Sequence, residues 1–424
     1  MTRRNEGLAT LILAGLLAGT AWAGADAPTD TAATASADWP RFHGPDGLGV
    51  AGGEGADAWT AATGGKVLWK TATPLPGASS PIVRGNRIFL TGASPTERAV
   101  YAFDADSGQL VWTGAVADVP GSPAEASGVN EETGYAAPTP ATDGRRVYAI
   151  FANGDVAAFT LDGQAAWAVN VGAPANPYGH ASSLALCENL VLVQLDPASV
   201  KDGGAKMLAL DAETGKTVWE VKRPVHESWA TPILVAGPNG PQIVTSADSA
   251  ILAHDPKDGH ILWKVECAGS EMAPSPIAAG GLVIASIAYD KVYAIRPGDG
   301  DAAKPEVVWT FEDVVPNLPT PVADGESVYL VEANGMMACC ESGTGKKVWE
   351  QDLVASFYAS PILAAGRLFL VSRKGDLFVL KAGRAYEAVA RVPLGEPCDA
   401  SPAFASGRLF IRSAKHLFAL GPEK

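Results

Sequence analysis

The sequence predicts an all-β chain, an eight-bladed β-propeller of four-stranded blades whose ring is closed by an N-terminal strand completing the last blade. Three observations carry that expectation. First, a Ser/Thr-Pro opening, an apolar run, a short turn and a second apolar run recur along the chain, as in "SSPIVRGNRIFL" (79–90), "ATPILVAGPNGPQIV" (230–244) and "ASPILAAGRLFLV" (359–371). Second, each opening leads to a third strand, a turn and a tryptophan, as in "LALDAETGKTVW" (208–219). Trp112, Trp167, Trp219, Trp263, Trp309 and Trp349 stand 40 to 55 residues apart, the period of one propeller blade. Third, the eighth unit stops after three strands at "HLFALGPEK" (416–424), while "GKVLWKTATP" (65–74) is a lone fourth strand with its own Trp69. Pairing these two leaves no open sheet edge.

Taken in order, residues 1–23 read as a signal peptide. Arg3 and Arg4 precede a short apolar stretch from Leu8 to Ala18, and Ala21-Trp22-Ala23 gives an A-x-A cleavage pattern. The stretch falls short of the ~20 residues a spanning helix needs. With no cysteine near the cleavage site, the chain is expected to be exported, periplasmic or extracellular, without a lipoprotein anchor. Residues 24–38 are small and polar, as in a flexible linker. "DWPRFHGPDGLG" (38–49) reads as an arm laid across the ring, with Arg41 and His43 as its candidates to reach a functional face. Residues 39–424 form one propeller domain.

Within a blade, apolar alternation such as Ile88/Leu90 and Tyr101/Phe103 fits half-buried strands. The D-x-x-[ST]-G turn supplies an Asp that bonds nearby backbone and a Gly that accepts positive φ. The tryptophan that follows covers the gap between blades. Two units depart from the pattern. "ASSLALCENLVLV" (181–193) is read with Ser183 in the proline place, and "AYEAVARV" (385–392) stands where the seventh unit's tryptophan belongs.

A chain of 424 residues would ordinarily be two or three domains, but the repeat removes that need. A hydrophobic content of 47% supports a sizeable core, and 46 Gly with 31 Pro suit a fold rich in turns. The formal net charge of −14 repels phosphate backbones and excludes nucleic acid as a partner. Past the signal there is no second apolar span, so an integral membrane protein is not expected. The absence of C-x-x-C, H-E-x-x-H and G-x-S-x-G removes the motif support for a zinc site or a serine hydrolase. No catalytic residue and no metal site is assigned.

The [DE]-x-x-[ST]-G-[KQ]-x-x-W pattern resembles the pyrroloquinoline-quinone-like (PQQ-like) repeat, over about residues 39–420. "DWPRFHGPDGLGV" (38–50), "YGHASSLAL" (178–186) and "HESWATPIL" (226–234) look like an exported bacterial subgroup similar to the outer-membrane assembly propeller. That resemblance implies a partner-binding protein with no cofactor. Other relatives are quinoprotein alcohol dehydrogenases, which hold PQQ and calcium over the propeller axis through a Glu, an Asn and an Asp and pack an adjacent Cys–Cys disulfide on the quinone. Glu227, Asn317 and Asp399 match that ligand set by type. A PQQ- and calcium-dependent alcohol or sugar dehydrogenase is therefore the alternative reading.

Cys339 and Cys340 do not support that alternative. Aligning Trp349 with Trp219 places them on Ala209 and Leu210 in the third strand, where neighbouring side chains point to opposite faces. A vicinal disulfide needs a distorted peptide that an ordinary strand does not offer. They read as two small core residues, and Cys187, Cys267 and Cys398 complete an odd count of five.

The expected functional residues lie in the segments leading into the first strands, which a propeller gathers on one face around its channel. These segments carry Tyr135, Tyr178, His180, His226, Glu227, Trp229, Glu271, Met272, Asn317, Phe357, Tyr358 and Asp399. They suit a flat small ligand or a protein segment, and His180 and His226, on neighbouring units, are expected near each other. The function expected is a non-catalytic exported scaffold without a cofactor.

Overall fold

Apolar alternation broken by glycine-bearing turns folds each repeat into one antiparallel four-stranded sheet. The computed structural model describes residues 38–52, 66–125, 128–197, 204–270, 272–300 and 303–422. The signal peptide, linker residues 24–37 and Glu271 lie outside them. Blades 1 to 7 span residues 82–115, 141–170, 185–223, 233–266, 277–311, 322–352 and 362–393 in chain order. Blade 8 takes three strands from 403–421 and its outer strand from Lys66–Ala72. That outer strand runs antiparallel to His416–Gly421, with Lys66 opposite Gly421 and Ala72 opposite His416, so the ring closes as the sequence predicts. Inner strands such as Arg367–Val371 are packed on both sides and read as near-continuous apolar runs, whereas outer strands such as Lys347–Asp352 keep one side in water.

The tryptophans join each blade to the next. Trp112 Nε1 donates to Leu161 O at 2.9 Å, Trp167 to Ala212 O at 3.0 Å, Trp219 to Pro256 O at 3.0 Å and Trp309 to Ser342 O at 2.8 Å, each acceptor lying in the next blade's turn. Trp69 makes the same bond to Ala105 O, from blade 8 to blade 1. The glycine of the receiving turn is required twice over. Gly215 has φ +71°, and a Cβ there would lie 2.5 Å from the Trp167 ring. The two irregular joints follow from the same geometry. Blade 5 has a different turn, and Trp263 donates instead to Gln242 Oε1, whose own amide reaches Gly298 O across the joint. In blade 8 the third and fourth strands come from different parts of the chain, so no hairpin turn exists to receive a tryptophan from blade 7, and blade 7 has none.

At the inner ends of the first strands, eight hydroxyl residues form a closed ring. The backbone N–H of Ser80 donates to Thr139 Oγ1, Thr139 to Ser183 Oγ, Ser183 to Thr231 Oγ1 and Thr231 to Ser275 Oγ. The chain of bonds continues from Ser275 to Thr320, Ser360 and Ser401, and Ser401 N closes it on Ser80 Oγ at 3.0 Å. This corrects the alignment of the third unit: Ser183 holds the hydroxyl place and Leu184 the proline place.

Residues 38–51 plug the ring from below. Trp39 pairs with Val83 of blade 1, Pro40 O accepts the Thr142 N–H of blade 2, and Val50–Ala51 adds a parallel inner strand to blade 7. Arg41 Nη2 donates to Pro232 O, and His43 Nε2 lies 2.9 Å from Pro361 O. Both side chains are buried on the channel's underside and do not reach the opposite face. Gly49 has φ +74°, and a Cβ there would lie 2.4 Å from the His43 ring. Asp38, read as the last linker residue, bonds the Gly85 N–H at 2.7 Å.

Cys339 and Cys340 lie inside the strand Met336–Glu341, opposite Trp349 and Lys347. Cys340 packs with the side chains of blade 5 and Cys339 with those of blade 7. All five cysteines are free thiols, and burial pushes Cys339 up to about 11 and Cys340 up to about 12.

Candidate functional site

Because each strand reverses the last, segments leading into first strands and the turns between second and third strands share one face, here the upper face. The other two turns of each blade lie below with the arm. The upper mouth of the channel opens into a shallow well of about 120 Å3. Its wall is the hydroxyl ring, Phe42 of the arm lines it from below, and Trp229, Leu318, Tyr358 and Asp399 stand near the rim.

One polar cluster dominates the rim. The Arg373 guanidinium lies 3.6 Å from the centre of the Tyr358 ring, a cation–π contact, and its Nε donates to Asp399 Oδ1 at 3.0 Å. Glu132 completes the group: it accepts the Tyr358 hydroxyl at 3.0 Å and sits 3.6 Å from Arg373 Nη1. Glu132 belongs to the long connection between blades 1 and 2, so that connection straps across the mouth to blade 7. On its way back Thr133 Oγ1 donates to Tyr178 O of blade 3. Tyr358 and Asp399 are among the residues the sequence singles out; Glu132 and Arg373, which the fold brings to them, are not. The unusual length of 116–140 was the signal for the strap; a single Arg in a short turn gave none.

The remaining predicted residues divide by burial. Tyr178 meets Trp229 edge to face at 4.8 Å, so these two aromatics do form one patch, and Tyr135 borders the cavities beside the strap. His226 is half exposed, and its Nδ1 bonds Asp248 at 2.7 Å. His180 is 2% exposed and packs against the backbone of Gln194 and Ser182, with no well-formed hydrogen bond to either ring nitrogen among the described residues. Burial holds it down at about 4, neutral at ordinary pH. His180 lies beside the buried Arg223–Asp196 pair, around a space of only about 10 Å3. No hydrogen bond joins the two histidines. Met272 and Phe357 are fully buried beneath the surface.

Among the three residues matched by type to a calcium set, Asn317 and Asp399 have side chains engaged locally. Asn317 Oδ1 accepts the Ala333 N–H and Asp399 is paired with Arg373, while the Glu227 backbone carbonyl, not its carboxylate, accepts the Asp248 N–H. Among the described residues no group of three His, Cys, Asp or Glu side chains could hold a metal ion. The cysteine pair, reduced and inside a strand, does not form the adjacent disulfide that packs on the quinone in those relatives.

Fold and face together define the class: an eight-bladed propeller of PQQ-like repeats whose channel is plugged from below and strapped from above. The family described as outer membrane protein assembly factor BamB matches residues 38–185 and 152–385, and the chain belongs to that family. It is 24% identical over 298 residues to the outer membrane protein assembly factor BamB of Yersinia pestis, covering 67% of each chain. To the protein of the same name from Moranella endobia it is 24% identical over 195 residues, 41% of this chain and 49% of that one. Among solved structures it resembles BamB from Moraxella catarrhalis (TM-score 0.62, 14% identity, 84% of this chain and 99% of that chain). It also resembles the quinohemoprotein alcohol dehydrogenase from Comamonas testosteroni (TM-score 0.68, 13% identity, 92% and 82%). At these identities the structural likenesses show the shared propeller and do not choose between the two activities. No helix among the described residues is long and apolar enough to cross a membrane.

Proposed function

We propose that this chain is an exported, non-catalytic scaffold whose upper face binds a partner in outer-membrane protein assembly, the process its relatives are named for. The observation that carries the reading is the state of the mouth. Its well is shallow, and its polar side chains Tyr358, Arg373, Asp399 and Glu132 are bonded to one another rather than converging on a reacting atom. Tyr178, Trp229 and Tyr358 add aromatic area around it, and Tyr135, His226, Glu227 and Asn317 lie in the same set of leading segments. Aromatic and Arg groups rimmed by polar ones suit a protein segment, and the acidic net charge favours a partner with basic groups at the contact.

The test is a photo-crosslinking residue in place of Tyr358, in the exported chain in its native cells, with Val354 as a control position on the same surface at 82% exposure. Crosslinks specific to position 358 to one periplasmic or outer-membrane protein are expected. The reading is overturned by saturable, calcium-dependent binding of PQQ to the purified chain together with dye-linked oxidation of an alcohol or sugar. That result would restore the dehydrogenase alternative.

A further inference from the structure

Arg412 is a large charged side chain set in the deep core. It is 1% exposed, at the end of the second strand of blade 8. The matching place in blade 7 is Val371, and in blade 6 Val331. Its guanidinium reaches across the closing joint into blade 1, where Nη1 donates to Ser79 Oγ at 2.6 Å and Thr91 O at 2.7 Å. These partners are neutral. Among the described residues no carboxylate lies within ion-pair distance of Arg412, and its Nε has no hydrogen-bond partner. A buried, uncompensated charge is costly, and removing it from water favours whatever supplies an anion. Burial lowers its pKa only to about 10, so the cation persists at neutral pH.

Arg412 lines a cavity of about 240 Å3 that opens beside the strap, next to the well. The cavity is graded. Pro76, Gly77, Ala93 and Tyr135 give it apolar walls, while Glu131, Glu132 and Asp399 supply carboxylates. Glu131 and Glu132 are exposed where Arg412 is buried, so positive charge lies deep and negative charge at the opening. Asp399 and Glu132 are already engaged with Arg373, and Glu131 is a further exposed carboxylate at the rim.

We propose that this cavity binds a small zwitterion, an amino acid or short amino-carboxylate. Its carboxylate would sit against the Arg412 guanidinium, its apolar body against Tyr135 and Pro76, and its ammonium toward Glu131. A carboxylate matches a guanidinium in charge and hydrogen-bond geometry. A simple anion lacks the group the rim would attract, and a simple cation lacks the group the base needs. The volume lies below the ~300 Å3 at which drug-sized sites begin, so the occupant is compact. The inference rests on the upper face being a binding surface, and it names a ligand class for one part of it.

The test is calorimetric titration of the mature chain with the standard L-amino acids and 5-aminopentanoate, using pentanoate and pentylamine as half-ligand controls. At least one zwitterion is expected to bind saturably, at least tenfold tighter than pentanoate, with no binding of pentylamine. Arg412→Met removes the charge at nearly constant volume and is expected to abolish binding, while Arg412→Lys restores part of it. Should Arg412→Met fail to fold, Gly77→Ala serves instead, because its Cβ would stand 2.8 Å from Arg412 Nη2 and crowd the base. It too is expected to abolish binding. Glu131→Gln, on the surface, is expected to weaken the zwitterion several-fold and leave pentanoate unchanged. Binding by no member of the panel overturns the proposal, as does zwitterion binding that survives Arg412→Met or Gly77→Ala. Neither outcome touches the crosslinking result at Tyr358, so the cavity and the scaffold role fail separately.

Discussion

The two mouths of the channel are closed by unlike means. Below, residues 38–51 are built into the core. Trp39 is 1% exposed, His43 is wedged between Gly47 and Pro361, and Val50–Ala51 joins the sheet of blade 7. Above, the strap is held at Glu132 by one hydroxyl hydrogen bond and one long ion pair, both at the surface. Burying an aromatic contributes several kcal/mol, whereas exposed pairs contribute about 0–1 kcal/mol. The lower closure therefore opens only when the molecule unfolds, while the upper one opens locally at small cost. Binding belongs on the side that can open without disturbing the ring.

The largest effect expected from that contrast is at Trp39. Trp39→Ala removes a large ring from the cluster it shares with Val83 and Phe410 and should destabilise the chain by roughly 3–5 kcal/mol, measured by urea unfolding at constant slope. A loss below about 1 kcal/mol would mean that the arm is an ornament on a ring that stands without it, and the comparison would break.

How much of this was legible in the sequence depends on the range of the signal. The blades and their closure were, because strands and hairpin turns repeat with a period and Trp69 stood as an unmatched fourth strand. The placement of Cys339 and Cys340 was legible for the same reason, since a repeat lends each position the environment of its equivalents. The hydroxyl ring was half visible: Ser/Thr before Pro was seen at each opening, but only as a mark of strand starts, and the shift at Ser183 hid its unbroken count of eight. What was not legible depends on contacts across the ring. Glu132 and Tyr358 are 226 residues apart, and nothing local to either announces the other. His180 looked like a surface ligand because its segment leads into a strand, yet the loop dips and buries it.

A smaller effect sharpens the contrast through pH. His43 faces two carbonyls, Gly47 O and Pro361 O, which favour its protonated form. Burial opposes them, with help from the Arg41 charge, and wins, holding His43 at about 4. A histidine whose folded pKa lies below its unfolded value of about 6.5 takes up its proton more readily when unfolded. Its contribution is therefore fully present above pH 6.5, is lost as pH falls from 6.5 toward 4, and changes no further below. His43→Gln keeps a donor for Pro361 O and removes the titration. Between pH 6.5 and 4 the wild-type chain should lose up to roughly 3 kcal/mol more stability than the variant. His180, also held at about 4, titrates alike in both chains and cancels in the difference. Parallel stability–pH curves for the two proteins would show that the arm admits water at His43.

The smallest expected change in stability is the one that bears most on function. Glu132→Ala cuts the strap from Tyr358 and Arg373 but leaves the Thr133–Tyr178 bond and the joint at Ala136, whose carbonyl accepts the Ala78 and Ser79 N–H groups. The unfolding free energy should fall by less than about 1 kcal/mol. The amides of 128–136 should exchange with deuterium up to about fivefold faster, the equivalent of that energy in a local opening. Amides of the arm, among them Trp39 and Gly49, which donate to Val83 O and His43 O, should exchange at the wild-type rate. That pairing of results would mark the strap as a unit that opens by itself, as a surface waiting for a partner requires. Equal acceleration on both sides would mean instead that the two mouths are coupled through the hydroxyl ring, so that a partner bound above would be felt at the arm below.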